Sequence, residues 1–206
     1  TGTTAQIKFR FDTIDGAVNN YEGAFIDNVN LNPGTPPITN FDDGSLQGWQ
    51  ATGLWHVSST GGYNSTKSAW YGDEATGTFN SPAVMSHSGN LTSSTIQLGA
   101  TTPKLKFFYS LQNECGNNGS GEGSICYYDA LTVHVSDNGG SIWTQLESAN
   151  TSLPVSNAFT SKCLDLSAFT GKSVLIKFNF DTKDGIGNDY KGALVDDIET
   201  FDGVCP

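Results

Sequence analysis

The sequence predicts an all-β protein: a two-sheet antiparallel, jelly-roll-like sandwich, preceded by a separate strand–loop–strand unit. Three observations carry this reading. Short runs of alternating apolar and polar residues recur along the 206 residues, which is the period of strands with one buried face. Gly, Asn, Ser, Asp and Thr separate these runs, with no long helical pattern, as in a sandwich. A stretch of 27 residues also occurs twice, as 5-AQIKFRFDTIDGAVNNYEGAFIDNVNL-31 and 174-VLIKFNFDTKDGIGNDYKGALVDDIET-200. The copies are identical at 13 of the 27 positions, Asp12/Asp181, Asp15/Asp184, Tyr21/Tyr190 and Asp27/Asp196 among them. Such a repeat sets domain boundaries.

In chain order, residues 1–32 form the first unit: a strand, an acidic Gly-containing loop and a second strand. The second copy closes a domain whereas the first opens the chain. Residues 1–32 therefore look like the end of a preceding domain, or like strands exchanged with a neighbour. An isolated two-stranded unit is marginal in water and carries an unpaired edge, so something must complete it. Residues 33–40 hold Pro33, Pro36 and Pro37 and read as a stiff extended linker. A complete domain over 41–206 opens with 41-FDDGSLQGW-49. Its predicted strands are 53–58, 67–72, 91–98, 104–111, 129–136, 142–147 and 158–166, then the pair within 174–200. Leu105, Phe107, Tyr109 and Leu111 share one face, as do Leu131, Val133 and Val135, and 137-DNGG-140 is a tight-turn signal.

Composition narrows the function. Twenty-four glycines without a three-residue period mean turns and bulges rather than collagen. A net charge of −11 argues against nucleic acid, whose phosphates need Lys and Arg, and suits a solvated surface or a cation-binding chain. No run of 18 apolar residues is present, so no membrane insertion is expected. No signal-peptide pattern is present either; a secreted chain would have lost its targeting segment upstream. The four cysteines, Cys115, Cys126, Cys163 and Cys205, allow three pairings. Cys115 and Cys126 flank an otherwise floppy loop, which favours that pair and leaves Cys163–Cys205 to tie down the chain end. Disulfides imply an oxidising, extracellular setting.

The segments FDDGSLQGW, GLWHVS, SAWYG, LTSSTIQL, DALTVHVSDNGGSIWTQL, LDLSAFTGKSVLIKFNF and GALVDDIE, in that order, resemble the MAM-like jelly-roll domains of bacterial secreted proteins. Among these is the accessory domain of immune-inhibitor-A-type metalloproteases. The resemblance covers about residues 41–200. It implies an extracellular module of a larger surface or secreted protein, often with structural calcium, and implies no catalysis.

The carboxylates point to the same ion. Asp42 and Asp43 open the domain and Asp196 and Asp197 lie in its last strand. In a jelly roll the first and last strands are neighbours, so the two pairs are expected to meet. At about 4 Å and an effective dielectric near 20, each like-charge pair costs about 4 kcal/mol, a sign that a bound cation reverses. Calcium takes six to eight oxygens from carboxylates, amides and carbonyls. The repeated loop offers a second set in Asp181, Asp184 and Asn188, with Asp189 beside it, although Asp–Gly and Asx turns explain much of that pattern.

Catalysis is not expected, since Gly-x-Ser-x-Gly, Walker and His-Glu-x-x-His motifs are absent. Sugar binding through exposed aromatics is the alternative, with Tyr71, Tyr127 and Tyr128 the expected contacts; Trp49, Trp55 and Trp143 read as core. Sequons at Asn64, Asn90, Asn118 and Asn150, and Thr35 beside two prolines, offer glycan sites. The expectation is a calcium-stabilised structural or adhesive protein at the cell surface, one unit of a tandem-domain or fibre-forming assembly. Its partners would be copies of itself or adjacent domains joined by strand complementation. The alternative is a carbohydrate-binding module of a larger secreted enzyme.

Overall fold

The computed structural model describes residues 8–12, 23–24, 38–80, 86–114, 123, 125, 128–147 and 152–206. The chain divides into two compact units, Thr1–Pro33 and Gly34–Pro206. In the first unit, residues 8–12 form no strand, Phe9 and Phe11 are exposed, and Arg10 pairs with Asp12. The rest of the strand–loop–strand expected there, and the linker prolines, lie outside the described residues.

The second unit is an all-β sandwich of two antiparallel sheets. Its strands are β1 (Gln50–Ala51), β2 (Trp55–Ser58), β3 (Ser68–Tyr71), β4 (Ser88–Thr92), β5 (Ile96–Gln97), β6 (Pro103–Gln112), β7 (Ala130–Ser136), β8 (Thr144–Gln145), β9 (Ser156–Asp165), β10 (Ser173–Asp181) and β11 (Gly192–Asp202). One sheet runs β1-β4-β10-β7-β8, with β5 also on β10; the other runs β2-β3-β11-β6-β9. The closing pair predicted over 174–200 is thus divided, β10 at the centre of one sheet and β11 at the centre of the other.

Alternation builds the core. Val174, Ile176, Phe178 and Phe180 of β10 and Leu131, Val133 and Val135 of β7 face Leu105, Phe107, Tyr109 and Leu111 of β6 and Ala193 and Val195 of β11. Phe107 meets Phe178 edge-on at 4.9 Å, and Tyr71 tilts against Phe180 at 4.6 Å, distances at which aromatic pairs attract beyond their buried area. Strand lengths depart from expectation at two places. The run 91–98 is interrupted at Ser93, whose N–H donates to the Ile176 carbonyl and whose Oγ accepts from the Ile176 N–H. The run 142–147 keeps only two ladder residues, Thr144 and Gln145.

The five-stranded sheet is covered on its outer side too. Trp70 and Leu194 point away from the core by alternation yet are fully buried. The Trp70 indole donates to the Lys191 carbonyl at 2.6 Å, and Tyr63 stacks on Phe108 at 3.5 Å. By contrast, the outer face of the six-stranded sheet is half-exposed and polar, which leaves it open to solvent.

Candidate functional site

The segment entering the domain is stitched to its last strand. Thr39 and Ile198 exchange two backbone hydrogen bonds of 2.9 Å each. Phe41, held at φ 56°, plugs into the core. β11 bulges between Asp196 and Glu199, and Asp197 sits at φ 45°. A bulge re-aims side chains, and here it turns consecutive acids toward the domain entry.

Asp196 is almost wholly buried. Its Oδ2 accepts from the Tyr63 N–H at 2.7 Å and its Oδ1 from the Asp197 N–H at 2.8 Å. Burial pushes its carboxyl up to about 7, and the charges of Asp197 and Asp42 act in the same direction. Asp197 is raised by burial first, then by Asp42 and Glu199, against a lowering by Lys106. Asp42 accepts from Asn40 Nδ2 at 2.9 Å, and its backbone carbonyl accepts from Lys67 Nζ at 3.0 Å. Asp42, Asp196 and Asp197 therefore share one electrostatic neighbourhood, with a lysine ammonium at its rim.

Asp43 plays another part. Exposed to solvent, it accepts from the Ser45 N–H at 2.8 Å, and that bond holds its carboxyl below the usual range. It is a turn cap. Among the described residues, no three His, Cys, Asp or Glu side chains converge to the spacing of a metal-ligand set. Oxygen donors for a hard cation at this clasp would be Asp42, Asp196 and Asp197 together with backbone carbonyls.

The acids of the loop between β10 and β11 shape its turns. Asp181 Oδ1 accepts from the Lys183 N–H at 3.0 Å and Asp184 Oδ1 from the Ile186 N–H at 2.8 Å. Asp189 accepts from Asn80 Nδ2 at 2.6 Å. Asn188 is buried, and its side-chain oxygen has no partner.

The aromatic positions need correction. Tyr71, expected among the exposed sugar contacts, is fully buried with its hydroxyl 2.8 Å from His87 Nδ1; it lies on the inward face of a strand buried on both sides and has no ring face to offer. Tyr128 is exposed, and Tyr127 lies outside the described residues. Trp49 and Trp55 are core residues, whereas Trp143 is not: it is half-buried, with Lys177 Nζ 4.2 Å from its ring centroid. Beside it on the outer face of the six-stranded sheet runs the register row Gln50–Thr92–Lys177–His134–Gln145. Burial, then the Lys177 charge, brings His134 down to about 4, so this row holds a neutral imidazole at neutral pH. At the edge beyond β2, a shallow depression of about 340 Å³ is lined by residues 53–56 and 72–74. It holds His56 and Glu74, 3.2 Å apart.

Of the remaining predicted positions, Cys163 and Cys205 form a disulfide, while Cys115 and Cys126 lie outside the described residues. Asn64 is exposed at φ 53°, while Asn90 sits mid-strand with its side-chain oxygen accepting from Asn179. Asn118, Asn150 and Thr35 lie outside the described residues.

No known protein family matches the chain, and no curated protein is significantly similar to it in sequence. Solved structures do match its shape. The K1 adhesin domain of Lys-gingipain from Porphyromonas gingivalis superposes with a TM-score of 0.54 at 15% identity, over 82% of this chain and 99% of that one. The K3 adhesin domain of the same protein gives 0.54 at 15% identity, over 81% and 98%. TmCBM61, solved in complex with β-1,4-galactotriose, gives 0.48 at 15% identity, over 80% and 95%. At such identity the likeness to the adhesin domains establishes the β-sandwich fold and no more.

Proposed function

We propose that this chain is a non-catalytic extracellular adhesive module, one unit of a tandem-domain or fibre-forming protein, with calcium holding its clasp. The observation that carries the reading is the clasp itself. The Thr39–Ile198 bridge, the β11 bulge and the Cys163–Cys205 disulfide tie the entry and the last strand of the sandwich to its body. Three mutually repelling carboxylates lie at the first of these ties, where a divalent cation would turn a cost into a bond. The disulfide supports an oxidising compartment, and no helix among the described residues is long and apolar enough to cross a membrane. β9 ends the five-stranded sheet with ten residues, an edge of the length that strand complementation uses. Copies of the chain or adjacent domains are its proposed partners. The test is electron microscopy of the native material with and without EGTA, beside thermal melts in both. Regular fibres that disperse in EGTA, with a higher melting temperature in calcium, are expected; dispersed monomers and equal melts in both conditions would sink the reading.

A second reading, carbohydrate binding, rests on the open face of the six-stranded sheet. Trp143 there supplies an indole of the kind on which sugar rings stack, and the Gln50–Gln145 row supplies amide, hydroxyl, ammonium and imidazole groups. Glycan arrays probed with the intact chain and with Trp143→Ala decide it: binding lost in the variant supports it, and no binding by either removes it.

A further inference from the structure

At another place on the sandwich a second set of oxygens gathers, at the end where β6, β7, β10 and β11 turn. β6 ends with Gln112 opposite Gly192 of β11, and β7 begins with Ala130 opposite Asp181 of β10. Asn113 and Asp129, each one residue beyond its strand, thus bring both sheets to the base of the β10–β11 loop. The Asn113 amide donates to the Asp129 carbonyl at 2.9 Å, and the Glu114 N–H donates to Asp129 Oδ2 at 3.4 Å. The Glu114 carboxyl packs closely on Gly187, where a Cβ would run into Oε2. Asn188 follows next in the chain.

Three side-chain oxygens here have no hydrogen-bond partner: Asn113 Oδ1, Asp129 Oδ1 and Asn188 Oδ1. Their residues are 1%, 1% and 5% exposed. Buried polar atoms are nearly always paired, so three unpaired acceptors at one end of a sandwich ask for an electropositive partner. Among the described residues none donates to these oxygens, and the charges that reach Asp129, from Glu114, Asp184 and Asp181, are all negative. We infer that Asn113, Asp129 and Asn188, with Glu114 and Asp184 beside them, bind a hard divalent cation, calcium fitting best, at a site independent of the clasp. Carboxylates alone do not make the set; two amides complete it, a mixture that calcium accepts and that offers no nitrogen or sulfur for a transition metal. The site would pin the β10–β11 loop to the ends of both sheets, a further tie between the layers.

The test is calorimetric titration of the full chain with calcium, after EGTA treatment and dialysis, for the wild type, Asp129→Asn, Asn188→Ala and Asp196→Asn. Two binding events are expected in the wild type. Asp129→Asn should lose one and keep the other, Asn188→Ala should weaken that same event by roughly tenfold or more, and Asp196→Asn should affect only the other. An unchanged stoichiometry in Asp129→Asn overturns this site while leaving the clasp standing; one event lost only in Asp196→Asn does the same. A single wild-type event that is lost in Asp129→Asn and kept in Asp196→Asn would sink the clasp and spare this site. Should Asp129→Asn fail to fold, anomalous diffraction from terbium-soaked wild-type crystals decides. A peak against Asp129 Oδ1 supports the site, and only water there overturns it.

Discussion

At the scale of single residues, function and stability separate most clearly at Tyr71. Its ring packs 5.5 Å from Trp55 and 4.6 Å from Phe180, and its hydroxyl meets His87. Tyr71→Phe should therefore cost about 1 kcal/mol, the net worth of one hydrogen bond. Tyr71→Ala should cost about 3–5 kcal/mol, as large core truncations do; a sugar platform would instead lose binding and keep its stability. Urea melts of the two variants measure this directly. Asp196 behaves differently, because its environment opposes its own charge. Its carboxyl titrates near 7 in the fold against about 4 in the unfolded chain. The stability held by the protonated form is thus present below about pH 4 and lost as pH rises through about 7. Asp196→Asn abolishes that titration but turns an amide N–H₂ toward one of two backbone donors. The variant should melt lower than wild type at pH 5, and in EGTA the gap should shrink by pH 8. Calcium should reopen it, because only the wild type keeps the ligand. Calorimetry at both pH values decides, and a gap that widens with pH in EGTA would refute the assignment.

Among the elements, the strands that came plainly from the sequence are those with strict alternation over six or more residues. β6, β7 and β10 follow it, because a long ladder with one buried face leaves no other register. Shorter pieces were illegible for physical reasons. β1 has two residues, too few to show a period, and of the predicted 142–147 run only Thr144 and Gln145 pair, as β8. The 91–98 run alternates well enough to read as one strand, yet a serine hydroxyl bonding across to Ile176 interrupts it. The clasp was half legible: the doublets Asp42–Asp43 and Asp196–Asp197 stand out in the sequence, but only the structure shows the bulge in β11 at Asp196–Glu199 and the turn in which Asp43 caps the Ser45 N–H. Asn113, Glu114 and Asp129 left no signal at all, since nothing local joins residues that meet only where two sheets end. The disulfide is an element-scale tie as well. Cys163 on β9 and Cys205 enclose 42 residues of separation, including β10 and β11. Cys205→Ser should cost about 2–4 kcal/mol in a urea titration. A smaller loss would mean that the hydrogen bonds of β11 hold the chain end unaided.

Across the whole molecule, a chain of net charge −11 buries several ionisable groups whose titrations pull in opposite directions. Burial pushes Asp129 up to about 8, and Asp196 and Glu147 up to about 7. For each of these acids the folded state holds its proton more tightly than the unfolded state does. Stability therefore falls as pH climbs from about 4 through 7 or 8. His134 is brought down to about 4, and His87 is also lowered by burial. For these bases the unfolded state binds the proton more tightly, so stability falls as pH drops below about 6.5. Without divalent ions the three acids outweigh the two histidines from about pH 5 upward, so the melting temperature should peak near pH 4–5 and fall toward alkaline pH. Calcium bound at the two proposed sites would act on one side only. By holding Asp196 and Asp129 in their charged forms it would remove the larger share of the alkaline loss, because binding to the folded state alone adds stability by mass action. Glu147 and the histidines keep their own dependence. The maximum should then move toward neutral pH in millimolar calcium, with the greatest gain over EGTA at pH 8 and almost none at pH 4.5, where protons compete for the same oxygens. Melts across pH 4–9 in the two conditions test this. A calcium gain that is the same at both ends would mean that the buried carboxylates are not where the ion acts.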